Sequence, residues 1–369
     1  MLKFAQPQLD EDTIQAVAAV LRSNWIATGP NVTELERALS ESFGARPTRV
    51  LTSATGAMEI ALQVCGIGAG DEVITSAQTF FSAMNMIVKV GATPVFVDCD
   101  LHTRAIDLAQ VEAAITPRTR AIMPTHFPGA LGDLDALYAL AKRHQLRVIE
   151  DAALVQGSYW KDLPVGGFGD IAVFSFHPNK NMTTIEGGAI VVASEDEAKL
   201  VDLLRFHGIK RLPDDTRDVA IAAGKFNMSD VSAVIGVHQL KQLPRFLAQR
   251  ATLVERYFEK FPPVPGVVLP PQGVPRQSWN MFNVLIPYEQ FGLTRQSFRA
   301  ALQAQGVGTG MSYEACHLTT VGRGYGYTDG QFPNGERIAR ETVTLPLHAA
   351  MTLDDVDHVC AVVAQVLKR

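Results

Sequence analysis

The stretch "DIAVFSFHPNKNMTTIEGGAIVVAS" spans residues 170–194. Two apolar runs, 170–176 and 188–194, flank a polar loop that carries Lys180 and closes on Gly187-Gly188. Both runs are of strand length and rich in Val, Ile and Phe, which suits a strand buried on both faces. The same kind of run recurs upstream in Val73–Thr75, "TPVFVDCD" (93–100), "RAIMPTHF" (120–127) and "RVIEDAA" (147–153). Helical patterns such as Leu108–Ile115 and Leu134–His144 lie between them. This alternation predicts an α/β fold, a mostly parallel sheet flanked by helices, in a large domain over residues 1–245. Ligands of such sheets bind outside the carboxyl ends of the strands, so the loops after Val50, Thr75, Ile149 and Phe176 are the ones to read.

The pattern changes beyond residue 245. A helix over 245–261 leads into the Pro-rich "FPPVPGVVLPPQGVPRQS" (261–278), which suits an extended connection. The strand "WNMFNVLI", the helix "TRQSFRAALQAQ", "VTLPL" and a last helix from Thr352 then read as a smaller α+β domain over 246–369. The N-terminal segment is expected to pack on it.

Composition excludes several classes. The 369 residues are 47% hydrophobic and carry a formal net charge of −5, so no global basic field exists for nucleic acid or anionic membrane. No apolar run reaches the ~20 residues a spanning helix needs. The opening "MLKFAQPQLDEDT" has no apolar core of a signal peptide, and the expected location is cytoplasmic. Cys65, Cys99, Cys316 and Cys360 are scattered without metal-ligand spacing, so they read as small core residues and no metal site is expected.

The strand-end loops carry the chemistry. Asp151 ends an apolar strand, where an ionised carboxylate is costly unless paired; it either caps a turn or holds a cation. Ser53-Ala54-Thr55-Gly56 opens a helix, as a simple N-cap or as a cup for an anion such as phosphate. Phe80 is a core aromatic or a stacking surface for a flat ring, and Ser175 a buried hydroxyl or a further phosphate contact. His177, His207 and Glu186 read as structural or loop residues, and Tyr325 and Tyr327 as loop tyrosines or substrate contacts. Pyridoxal 5′-phosphate (PLP) would use the set at once: an amine for its aldehyde, a carboxylate for its ring nitrogen, a phosphate cup and ring contacts.

These segments resemble the PLP-dependent nucleotide-sugar aminotransferases of the DegT/StrS type, fold type I. The resemblance runs from "LRSNWIATGPNVTELE" (21–36) through "GIGAGDEVITSAQTFFSAMNMI", "GATPVFVD", "VIEDAA" and "FSFHPNKNMTTIEGG" to "LPLHAAMT". "SAT" (53–55), "KFNMSD" (225–230) and "GVGTGMSYEACH" (306–317) look closest to the branch that makes UDP-4-amino-4-deoxy-L-arabinose. The resemblance implies that Lys180 bonds the cofactor and that Asp151 pairs with its ring nitrogen. It implies that Phe80 stacks on the ring and that Thr55, Gly56 and Ser175 face the phosphate. It implies that Asn227 reaches the cofactor phosphate of the neighbouring subunit, hence a homodimer with shared sites. His317 and Tyr313 are candidate substrate contacts by the same resemblance. The implied partners are L-glutamate/2-oxoglutarate and a nucleotide-linked keto-sugar. Alternatives are PLP-dependent elimination or dehydration at the sugar, although the related dehydratases replace the lysine by histidine, and a regulatory protein without turnover. One position departs from the family: Leu154 stands where His or Gln is usual, and Gln156 would share its face if the segment were a strand.

Overall fold

The computed structural model describes residues 1–272 and 276–368; residues 273–275 of the Pro-rich stretch and Arg369 lie outside the described residues. Seven strands form the main sheet: β1 (Thr48–Leu51), β2 (Glu72–Ser76), β3 (Thr93–Val97), β4 (Thr119–Met123), β5 (Arg147–Asp151), β6 (Ile171–Ser175) and β7 (Gly188–Val191). Their order is β1-β7-β6-β5-β4-β2-β3. Strands β3, β2, β4, β5 and β6 pair in parallel, whereas β7 runs antiparallel to both β6 and β1. The lysine loop between β6 and β7 contains no crossover helix, so the chain turns straight back.

Successive strand residues enter opposite cores. Val148, Ala172, Phe174 and Ile74 belong to one cluster. Ile149, Ile171, Val173 and Val73 belong to the other. Both faces are therefore covered, which is why the strands read as continuous apolar runs. One cluster is completed by the helices Pro30–Ser42 and Leu134–His144, the other by Ala54–Val64 and Phe81–Lys89.

The helix expected over 245–261 begins earlier. It spans Asp230–Lys260 with Pro244 inside. Proline removes one backbone donor and disfavours a helix interior, so the sequence pattern reads as a break there. Burial on both sides outweighs that cost: Ala233, Val237 and Leu243 join a sheet core, and Leu253, Val254 and Tyr257 join a separate C-terminal core. The C-terminal core also holds the antiparallel strands Phe282–Leu285 and Thr342–Leu345 and the helices Arg295–Ala304 and Leu353–Leu367. The N-terminal segment packs here too, with Leu2 bridged to Val307 and the Phe4 carbonyl accepting from the Leu347 N–H. Cys99, Cys316 and Cys360 are buried and all four cysteines are free. No helix among the described residues is long and apolar enough to cross a membrane.

Candidate active site

A cavity of about 220 Å³ opens where β1, β2, β4, β5 and β6 end, and Lys180 and Asp151 both line it. Strand β5 carries Asp151 to the cavity floor. Its Oδ1 accepts from the Ala153 N–H at 3.1 Å and its Oδ2 from the Thr125 hydroxyl at 3.2 Å. The Thr79 hydroxyl lies 2.6 Å from that of Thr125, so a buried chain of hydroxyls orients the carboxylate. Burial pushes the Asp151 carboxyl up; the Ala153 N–H, the Lys180 ammonium, His126 and the Thr125 hydroxyl act in the opposite direction. Burial pushes the Lys180 amine down to about 8, against the pull of Asp151. A lysine near 8 is roughly one-tenth neutral at pH 7, which is what nucleophilic attack on an aldehyde requires.

The opposite end of the cavity is built by the start of the helix Ala54–Val64. Ser53 is its N-cap, and its Oγ accepts the Gly56 N–H at 3.0 Å. The capping reading of this segment holds. Gly56 spends its N–H on the cap and does not line the cavity, whereas Ser53, Ala54 and Thr55 do. The first N–H groups of a helix have no intrahelical acceptor, and the dipole there favours an anion. Ser175, the last residue of β6, lines the same region. Its Oγ is also 3.5 Å from the His177 N–H.

Phe80 precedes the helix Phe81–Lys89 and is 44% exposed, which rules out the core reading. Its ring faces the cavity, 5.2 Å from that of Tyr313. Tyr313 also lines the cavity and packs at 5.4 Å on Phe127. Burial first, and the Asp151 charge second, push its phenol well above the usual range. Its phenol is therefore an un-ionised donor at neutral pH.

Other candidates lie elsewhere. His317 is fully buried behind Phe96 and Phe332, with its Nε2 3.1 Å from Glu336 Oε1, and does not line the cavity. Asn227 donates to the Thr28 hydroxyl, accepts from Lys225, and lies outside the cavity of its own chain. Tyr327 holds the Phe96 N–H and the Pro94 carbonyl, and Tyr325 is exposed. Gln156 does not replace the usual polar neighbour, contrary to the shared-face geometry of a strand. Strand β5 stops at Asp151 and the chain turns, so the Gln156 amide points at the Met182 sulfur, 3.0 Å away. Leu154 lines the cavity and packs with Phe127 and Met281, leaving that wall apolar.

Sequence reasoning missed Thr125, Thr79, Ser82 and Asn179. Thr125 reads as part of the strand 120–127, whereas that strand stops at Met123 and leaves the Thr125 hydroxyl at the cavity. His177 and Glu186 do line the cavity.

The arrangement fits PLP on its own geometry. One cavity holds a buried amine of lowered proton affinity, a carboxylate fixed by two donors, a helix start suited to a phosphate and an exposed aromatic face. Known proteins agree. Residues 7–364 match the model of the DegT/DnrJ/EryC1/StrS aminotransferase family. The spore coat polysaccharide biosynthesis protein SpsC of Bacillus subtilis is 35% identical, over 100% of this chain and 97% of that protein. Spr1654 of Streptococcus pneumoniae, assigned as a sugar aminotransferase and solved in its PLP form, superposes with a TM-score of 0.93 at 30% identity, covering 100% of this chain and 98% of that one. The sugar aminotransferase CalS13 of Micromonospora echinospora gives 0.90 at 26% identity, covering 99% of this chain and 100% of that one.

Proposed function

The chain belongs to the DegT/DnrJ/EryC1/StrS aminotransferase family, and from that premise we propose that it transfers an amino group from L-glutamate to the 4-keto group of a nucleotide-linked sugar. It is a fold type I enzyme, a sugar aminotransferase, and its cofactor is PLP. The observation that carries the reading is the shared cavity of Lys180, Asp151 and the start of the helix Ala54–Val64.

Residue roles follow from position. Lys180 Nζ would hold the cofactor covalently, Asp151 Oδ2 its ring nitrogen, Phe80 its ring face, and Thr55 and Ser175 its phosphate. When bound, the cofactor supplies an electron sink for the amino group's carbon. Lys180 Nζ, once free, would take the proton from the amino donor's α-carbon and carry it to the far side of the amino nitrogen. Asp151, as a carboxylate, favours the protonated ring nitrogen that the sink requires. Tyr313, Phe80 and Leu154 exclude water from this end of the cavity.

The finer reading is ours as well. The product is a 4-amino sugar nucleotide of the UDP-4-amino-4-deoxy-L-arabinose kind, made in the cytoplasm for a surface polysaccharide or a secondary metabolite. The chain acts as a homodimer of two-domain subunits, residues 1–245 and 246–369, and Asn227 serves the neighbouring subunit's site. Its position outside its own cavity supports that assignment. The test is a screen of nucleotide 4-keto and 3-keto sugars with L-glutamate, read by mass spectrometry. Glutamate-dependent amination of a 4-keto sugar is expected; a product formed without an amino donor would overturn the reading.

A further inference from the structure

The loop that carries Lys180 has few backbone pairings of its own. The Lys180 N–H turns back to the His177 carbonyl at 2.9 Å, and the Thr184 N–H meets the Phe176 carbonyl at 3.0 Å. Side chains hold the stretch beside the lysine. The Asn280 amide donates to the Asn179 carbonyl and to Asn181 Oδ1, at 3.3 Å each, so it grips the chain on both sides of Lys180. Asn181 returns the contact, donating to the Ser278 carbonyl at 3.3 Å and to the Gln156 carbonyl at 3.2 Å. Asn181, Ser278 and Asn280 are all buried. Asn280 stands just before the strand Phe282–Leu285 of the C-terminal core. Its own carbonyl accepts from Arg250 Nη1 at 3.1 Å. Arg250 is buried in the long helix Asp230–Lys260 and also holds the Leu347 carbonyl at 3.0 Å. Burial pushes its guanidinium down to about 10, which leaves it a cation at neutral pH and makes these bonds charge-assisted.

We propose that Asn280 is a positioning residue for the amino-group transfer: it fixes the backbone on either side of Lys180 and so aims the amine from the C-terminal core, with Arg250 as its anchor. The inference rests on the assignment of Lys180 to the cofactor. Neither Asn280 nor Arg250 lines the cavity, so both act through the loop rather than on the reacting groups. A lysine amine rides on a flexible four-carbon stem, and it is aimed only if the backbone beneath it is fixed. Proton transfer depends on that aim, since a misplacement of about 1 Å costs on the order of 10²-fold in rate. A primary amide suits the task because it carries two N–H donors, one for each flank of the lysine. An apolar side chain of similar size carries none. It would leave the buried Asn181 Oδ1 without this donor, and the loop free to shift toward another.

The test uses the cofactor-loaded enzyme and follows the single-turnover loss of lysine-bound absorbance on addition of L-glutamate, per mole of bound cofactor. Asn280→Leu keeps the approximate volume and removes both donors. Its conversion rate is expected to fall by about tenfold or more, with glutamate affinity within about twofold of wild type. With α-deuterated glutamate the variant should show a full primary isotope effect, because the slowed step is the proton transfer to Lys180. Ser158→Ala is the comparison. It breaks the 2.9 Å hydrogen bond between Ser158 and Ser278 in the same buried network without touching either flank of Lys180. It should lower thermal stability and leave the conversion rate within about twofold of wild type. A rate in Asn280→Leu within about threefold of wild type, an isotope effect near unity, or an equal rate loss in Ser158→Ala overturns the proposal. If Asn280→Leu does not fold, Asn280→Ser, whose hydroxyl is too short to reach both flanks, is read by the same criteria. Wild-type enzyme without lysine-bound absorbance would instead defeat the assignment of Lys180 to the cofactor. Normal conversion by wild type beside an unimpaired Asn280→Leu defeats this inference alone.

Discussion

Gly188 lies so close to Ala54 that a Cβ on it would stand 2.4 Å from the Ala54 nitrogen. The same atom would meet the Ser53 carbonyl carbon at 2.6 Å and the Phe174 carbonyl oxygen at 2.8 Å. All three are backbone atoms, so nothing flexible is there to yield. The end of the lysine loop is therefore pressed directly against the helix start assigned to the phosphate. This contact joins the covalent end of the cavity to its anion end.

Gly188→Ala should consequently harm both stability and cofactor binding. A loss of about 2–3 kcal/mol is expected from overpacking against backbone, with weaker PLP affinity as the helix start is displaced. Thermal unfolding and cofactor fluorescence report the two effects. Gly324→Ala is the control, because a Cβ there meets nothing within 4 Å. Unchanged PLP affinity in Gly188→Ala would show that the helix start does not hold the phosphate.

Lys180 gives a pH-dependent stability in the cofactor-free enzyme. Its amine falls from 10.5 to about 8 on folding. Below pH 8 it is charged in both states, and the whole cost of burying the cation is present. Between about 8 and 10.5 the folded state has lost the proton while the unfolded state keeps it, so stability rises with pH. Lys180→Met should therefore be more stable than wild type at pH 7, by on the order of 3 kcal/mol at most, and the gap should close by pH 10.5. The same variant should lose about 10³-fold or more in kcat, since it removes both the covalent hold and the proton carrier. Denaturant titrations at several pH values check the first expectation, and a constant gap would refute it.

Asn227 allows a test of sharing between subunits. Lys180→Ala and Asn227→Glu should each be nearly inactive as homodimers, the second because its carboxylate would face a phosphate. Dissociated and remixed, they should recover up to about a quarter of wild-type activity, since half of a random mixture is heterodimer with one intact site of two. No recovery from a mixture shown to contain heterodimer would place Asn227 in its own chain's site or in none.

The parallel sheet and the loops that matter are legible in the chain because local physics writes them. Buried strands must be apolar on both faces, and the ends of such strands must be where polar side chains collect. Lys180, Asp151, Ser53–Gly56, Phe80 and Ser175 all stand at such ends. The long helix Asp230–Lys260 was half hidden, because Pro244 is a local signal for a break and the two cores that hold the helix together are not local. Gln156 was misplaced for the same kind of reason: the period-2 rule applies only while the strand continues, and β5 stops at Asp151.

What the sequence determined by itself was the inventory: an amine, a carboxylate, a capped helix start and an aromatic, each at a strand end. What only the tertiary structure decided was their partition. It set Thr55 into the cavity and turned the Gly56 N–H onto Ser53. It buried His317 behind Phe96 while bringing Tyr313 to Phe80. It divided two neighbouring carboxylates, Glu150 to His126 and Asp151 to Thr125 and the cavity. Proximity between groups far apart in the chain comes from long-range packing across the sheet, and no local pattern encodes it.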